Sequence, residues 1–208
     1  SPCFLLSEEL TATAFKVHTY HHGTIGWKSD LRSITREELF NYYRTYYVPN
    51  SAVVVAVGDF DTDRLLDKIQ KTFGAIPAGA PVPPVRAVEP PQMGERRVVV
   101  RHPAGTHYFT AAYHAPPAAD PDVFPMLVLD ATLSGGKSMG MFGGRDTRMG
   151  RSSRLYRALV DSGLARTADS SFNLTKDPYL FEINASLRSG VSPEEVERVA
   201  LEQVQKIQ

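Results

Sequence analysis

The 208-residue sequence contains one cysteine, Cys3. No internal disulfide can form, so cysteine usage indicates neither an oxidising nor a reducing compartment. Long apolar runs are missing as well. A stretch such as residues 52–57 falls far short of the roughly 20 residues that a membrane-spanning helix needs, so no membrane span is expected. Neither sign of charge is in surplus, because 23 Lys+Arg balance 23 Asp+Glu. That balance lacks the basic footprint of a nucleic-acid binder, and no run of like charge marks a tail or a membrane-surface patch. No pair of carboxylates at a defined spacing stands out, nor does a Ser/His/Asp set with a nucleophile elbow. What is present is ordinary for a globular chain: 42% apolar against 22% charged residues supports a buried core. The length fits one large domain or two small ones.

Residues 5–15 place Leu6, Leu10 and Ala14 at helical spacing. A loop over 17–26 follows, carrying His18, His21 and His22. Thr35 and Glu38 stand three apart as a capping box, and the helix they open presents Leu39, Tyr42, Tyr43 and Tyr46 on one side. These aromatics are expected in a core or an interface rather than as a binding platform. Pro49 ends the helix, since the residue before a proline is pushed out of the helical region. The β-branched run 52–57, stopped by Gly58, predicts a buried strand. Asp61 then caps a helix whose Leu65, Leu66, Ile69 and Phe73 are expected to face inward, with Gly74 closing it.

Prolines 77, 81, 83, 84, 90 and 91 crowd the segment 77–95, which has no apolar periodicity. Such density predicts an extended, semi-rigid linker between domains. Beyond it, 97–101 and 107–114 read as strands around a turn at Pro103-Ala104-Gly105. A helix from Asp120-Pro121 through Leu133 and a glycine-rich stretch over 135–150 come next. A helix over 153–160 precedes the strand pair 164–173 and 179–187. Ser192-Pro193-Glu194-Glu195 is a strong helix start, combining an N-cap, a first-turn proline and a capping-box Glu. Adjacent strand pairs among helices predict an α+β fold with a mostly antiparallel sheet.

Two segments, in this order, carry a family resemblance. The first is Tyr46-Tyr47-Val48-Pro49-Asn50 leading to Val57-Gly58-Asp59, preceded by Ile25-Gly26-Trp27, Asp30-Leu31 and Ile34-Thr35. The second runs from Ser152-Ser153-Arg154-Leu155-Tyr156 to Leu159 and on to Gly163-Leu164-Ala165. Together they resemble the M16 zinc peptidases (insulinase, pitrilysin, mitochondrial processing peptidase). The resemblance implies the M16-like (LuxS/MPP-like) architecture. It further implies that 1–76 is the end of a catalytic-type first domain, 77–95 a linker, and 96–208 a non-catalytic second domain truncated at its C-terminal end. The implied role is the non-catalytic portion of a bacterial zinc metalloprotease, helping to form a chamber for a peptide or protein substrate. The alternative is a non-catalytic subunit paired with an active homologue. A third reading, less favoured, is an unrelated α+β ligand-binding domain that uses the glycine-rich loop.

Family members hold zinc with two histidines of a His-x-x-Glu-His helix and a distal glutamate, the intervening glutamate activating a metal-bound water. That motif does not occur in these residues. The resemblance therefore assigns zinc to the parent protein, with no metal and no catalysis in this portion. His18, His21 and His22 have suggestive spacing but no glutamate between them, so a packed or solvated loop is expected. Glu8 and Glu9 fall near the place of the distal glutamate and are expected to be solvent-facing. Where relatives lend an Arg and a Tyr from the second domain, this chain has Val160 and Arg166. Arg154, Tyr156 and Arg166 are the candidate chamber contacts. Gly135-Gly136-Lys137-Ser138 resembles part of a phosphate loop without the full spacing, so a flexible loop is expected there, and the family resemblance, not the spacing, implies that such a loop could gate a substrate chamber. Expected partners are the substrate and the rest of the parent chain or a homologous subunit, with a dimer possible. By resemblance alone, the expected location is periplasmic.

Overall fold

The structure, a computed structural model, describes residues 1–136 and 150–207. Contacts divide the chain into two compact units, Ser1–His22 with Glu89–Gln208, and Gly23–Val88. In this division the first helix groups with the residues from Glu89 onward.

The larger unit contains a three-stranded antiparallel sheet of order β1-β3-β2. Its strands are β1 (Tyr108–Ala115), β2 (Ala165–Phe172) and β3 (Tyr179–Leu187). The central strand alternates as a half-covered sheet should. Phe181, Ile183, Ala185 and Leu187 are buried, while Glu182, Asn184 and Ser186 between them are only half-buried. Core contributions come from Leu133 of α5 (Val123–Ser134), Leu155 and Leu159 beside a π-helical turn (Tyr156–Asp161), and Val196 of α6 (Pro193–Gln205). Each fully buried aliphatic side chain contributes about 1.5–3 kcal/mol. One local signal operates as read, since Ser192 caps α6 by accepting from the Glu195 N–H at 3.2 Å, and Gly163 closes the π-helical turn at φ +82°.

The predicted strand over 97–101 is not part of the sheet. Val98 and Val100 there are half-buried and Val99 is exposed. The segment's tether is made of side chains: Arg97 donates to both Glu197 oxygens on α6, at 2.8 and 2.6 Å. The sheet edge is reached later, where the Leu187 N–H donates to the His107 carbonyl and Thr106 Oγ1 donates to the Leu187 carbonyl.

The Gly23–Val88 unit carries α2 (Lys28–Ser33), α3 (Arg36–Tyr46) and α4 (Thr62–Phe73). The capping box is formed as read, with the Glu38 N–H donating to Thr35 Oγ1 and the Thr35 N–H donating to Glu38 at 2.7 Å. The helix α2 had no clear sequence signal. The buried strand expected over 52–57 is absent. Val53 and Val57 are 88% and 94% exposed, and residues 53–57 make no backbone hydrogen bond among the described residues. A lone extended segment has no ladder to join, and the unit offers no second strand. Leu66 and Phe73 of α4 are likewise exposed, against the expectation that they face inward, while Leu65 and Ile69 are half-buried; Tyr42, Tyr43 and Tyr46 of α3, expected in a core or an interface, are exposed.

Candidate functional site

The three candidate contacts sit around the π-helical turn and the start of β2. Ser153 is buried and accepts from the Tyr156 N–H at 3.4 Å, which fixes the entry to the turn. Leu155 and Leu159 anchor the turn from below, both fully buried. Arg154, between Ser153 and Leu155, is therefore directed outward and exposed, and Tyr156 is half-buried. The predicted helix over 153–160 takes π-helical form from Tyr156 onward, with hydrogen bonds spaced one residue wider than in the α-helix.

Arg166 occupies a β-bulge. Ala165 pairs with Leu187 and Thr167 with Ser186, so Arg166 is the extra residue on β2. A bulge bends its strand and re-aims the extra side chain, and Arg166 is exposed on an outer strand of the sheet. No hydrogen bond or ring contact links Arg154, Tyr156 and Arg166 to one another, and neither arginine forms an ion pair among the described residues. Chemically, two uncommitted guanidinium groups suit carboxylates or the carbonyls of an extended peptide. Val160 is half-buried and packs against the core.

The histidine cluster is a packed node. Phe15, 2% exposed, has its ring within 5.2–6.2 Å of His18, Tyr20, His114 and Tyr179. His18 Nδ1 accepts from the Tyr20 N–H at 3.3 Å, while Nε2 faces Asp177 at 3.7 Å. His21 Nδ1 lies 2.7 Å from the His18 carbonyl. Burial, helped by the charge of Glu182 and by Tyr20, pushes the Tyr179 hydroxyl above its usual pKa. These nitrogens are committed to separate partners and do not converge. Glu9 is exposed and Glu8 half-buried on α1 (Pro2–Ala14). No group of three His, Cys, Asp or Glu able to hold a metal occurs among the described residues, so these side chains do not fit a zinc ion.

Sequence reasoning missed two polar constellations. Asp130 and Ser134, one turn apart on α5, meet Ser170 of β2 in the interior. Ser170 Oγ donates to Asp130 Oδ1 at 2.5 Å, and the two serine hydroxyls lie 2.6 Å apart. A carboxylate inside the apolar α5 sequence was the available signal. The trio binds α5 to β2, and among the described residues no imidazole lies between serine and carboxylate. The second constellation centres on Glu89, whose carboxylate accepts three backbone N–H groups from 16–18.

Of the glycine-rich stretch, Gly135, Gly136 and Gly150 are described, while Lys137 and Ser138 and the rest of the loop lie outside the described residues. At Gly135 (φ +89°) a Cβ would sit 3.2 Å from the Gly150 nitrogen, so only glycine allows the two ends of the loop to meet.

The model of the family described as peptidase M16 inactive domain matches residues 33–208. The zinc protease PqqE of Helicobacter pylori is 29% identical over 144 residues, covering 66% of this chain and 32% of that protein. The mitochondrial-processing peptidase subunit beta of Dictyostelium discoideum is 24% identical over 176 residues, covering 84% of this chain and 36% of that protein. Among solved structures, a protease from Helicobacter pylori superposes with a TM-score of 0.88 at 24% identity, covering 99% of this chain and 48% of the other. A peptidase M16 inactive domain from Pseudomonas fluorescens gives 0.73 at 20% identity, covering 97% and 46%. The chain thus spans about a third of these curated relatives and about half of these solved ones.

Proposed function

The chain belongs to the family of peptidase M16 inactive domains, and on that footing we propose that it is the non-catalytic portion of a bacterial zinc metalloprotease, lining the chamber that encloses an extended peptide. In this reading 1–76 ends the catalytic-type domain, 77–95 is the linker, and 96–208 forms most of the non-catalytic domain. Zinc is held elsewhere in the parent, whose location we take to be periplasmic. The observation that carries the reading is Arg166. It stands in a bulge on the outer strand β2, exposed and without an ion-pair partner among the described residues. A peptide carboxylate or main-chain carbonyl is the partner that its guanidinium fits.

The test uses the 208-residue chain and a fluorescent extended peptide with a free C-terminal carboxylate. Arg166→Ala is expected to weaken binding about tenfold, the loss of one charge-assisted contact, with a smaller loss for Arg154→Ala. Tyr156→Phe is expected to bind as the parent does. Chelator-sensitive cleavage of the peptide by this chain would overturn the non-catalytic reading, and equal binding by Arg166→Ala would remove Arg166 from the chamber.

A second reading is a subunit that pairs with an active homologue. It draws on relatives named as processing-peptidase beta subunits, one of which matches 84% of this chain. Co-purification with an active homologue from the same genome, in one-to-one ratio, would favour it.

A further inference from the structure

The chain leaves the sheet-bearing unit after His22 and re-enters it at Glu89. At that neck, successive amides converge on one side chain. The Lys16 N–H donates to one oxygen of Glu89 at 2.8 Å, and the Val17 and His18 N–H groups donate to the other at 2.8 and 3.1 Å. Seven residues further on, Arg96 Nη1 donates to the carbonyls of Thr13 and Ala14 at 2.9 and 2.7 Å. Those carbonyls belong to the last turn of α1, where the helix leaves acceptors without intrahelical donors.

The signs are matched at both ends. A cation sits where the helix exposes carbonyls, and an anion sits in a concavity of amide groups. The sequence prepares the anion. Pro90 and Pro91 follow Glu89, which restricts Glu89 to extended backbone and stiffens the segment that presents it. Phe15 lies between the two charged contacts, buried in its aromatic node. The hydrogen bonds themselves lie at exposed or half-buried positions, unlike the core of β3, where Ile183 is fully buried.

We propose that Glu89 and Arg96 form a clasp that closes the neck of the Gly23–Val88 excursion and opens on its own, freeing 13–18 from 89–96 while the sheet stays folded. Closed, the clasp gathers the departing and returning chain at one point. Open, it releases the residues on either side of the neck as slack. A set of polar contacts near the surface, spanning a separation of 71 to 73 residues, is the kind of element that opens locally at lower cost than a packed core.

Amide exchange followed by NMR on the full 208-residue chain tests the clasp. In Glu89→Gln the amides of Lys16, Val17 and His18 are expected to exchange at least tenfold faster, while those of Phe181 and Ile183 in β3 keep their rates. Arg96→Met is expected to show the same pattern with a smaller increase. Unchanged exchange at 16–18 in Glu89→Gln would overturn the clasp. A parallel rise at 16–18 and in β3 would also overturn it, because the segment would then open only with the whole fold.

Discussion

Glu89 shows how a single carboxylate acquires a pH signature from its surroundings. Desolvation pushes its pKa up, but the three amides of 16–18 and the nearby Arg96 guanidinium outweigh that and hold it at about 2. A carboxyl with a folded pKa below its unfolded value adds stability above the unfolded value of 4.5, and that stability is lost as pH falls toward about 2. The parent chain is therefore expected to lose stability between about pH 5 and 2 more steeply than Glu89→Gln, as read by urea unfolding across that window. Glu197, lowered by Arg97, and Glu38, lowered by Thr35, act in the same direction. Only the difference between parent and variant isolates Glu89, and identical slopes would show that the amides do not favour its charged form. The capping residues Thr35 and Ser192 were legible in the sequence because their partners lie three positions away. Glu89 was not, since no local pattern names partners more than 70 residues distant. Arg154 and Arg166 could be singled out by resemblance, but the bulge that re-aims Arg166 depends on pairing with β3 and left no mark in the sequence.

Among the elements, segments that all read as strands led to opposite outcomes. Residues 165–172 and 179–187 found one another across a short turn and pair in register from Phe172↔Phe181 to Thr167↔Ser186, where the bulge at Arg166 shifts the pairing. Residues 52–57 and 97–101 join no sheet, because a strand needs a neighbour that its own sequence does not specify. Position within this contrast decides what a mutation costs. Ile183, fully buried in β3, is expected to cost about 2–5 kcal/mol on truncation to alanine. Val55→Ala, at a position 78% exposed, is expected to stay within about 0.5 kcal/mol. Urea midpoints of the two variants against the parent test this directly. A loss of more than about 2 kcal/mol for Val55→Ala would mean that 52–57 is buried in solution.

At the scale of the molecule, the two units differ in how much apolar surface they remove from water. The sheet-bearing unit has a continuous core, whereas within 23–88 Val48 alone is buried. Unfolding enthalpy is close to 0.7 kcal/mol per residue for packed protein, and residues without a core contribute little of it. Calorimetry on the 208-residue chain is thus expected to give an unfolding enthalpy roughly a third below that of a fully packed chain of this length. A full enthalpy would show that 23–88 is packed after all. The apolar content of that unit explains what its deficit means. Val53, Val54, Val55 and Val57 are all exposed, and so continuous a β-branched run is the sequence pattern of a strand covered on both faces. If the chain is a portion of a longer peptidase, as proposed, the rest of the parent supplies sheet neighbours for this segment. The missing enthalpy should then appear in the longer protein, and its amides at 53–57 should become as slow to exchange as those of β3. Fast exchange there in the longer protein would separate the exposed valines from any sheet and leave them as a surface for a different partner.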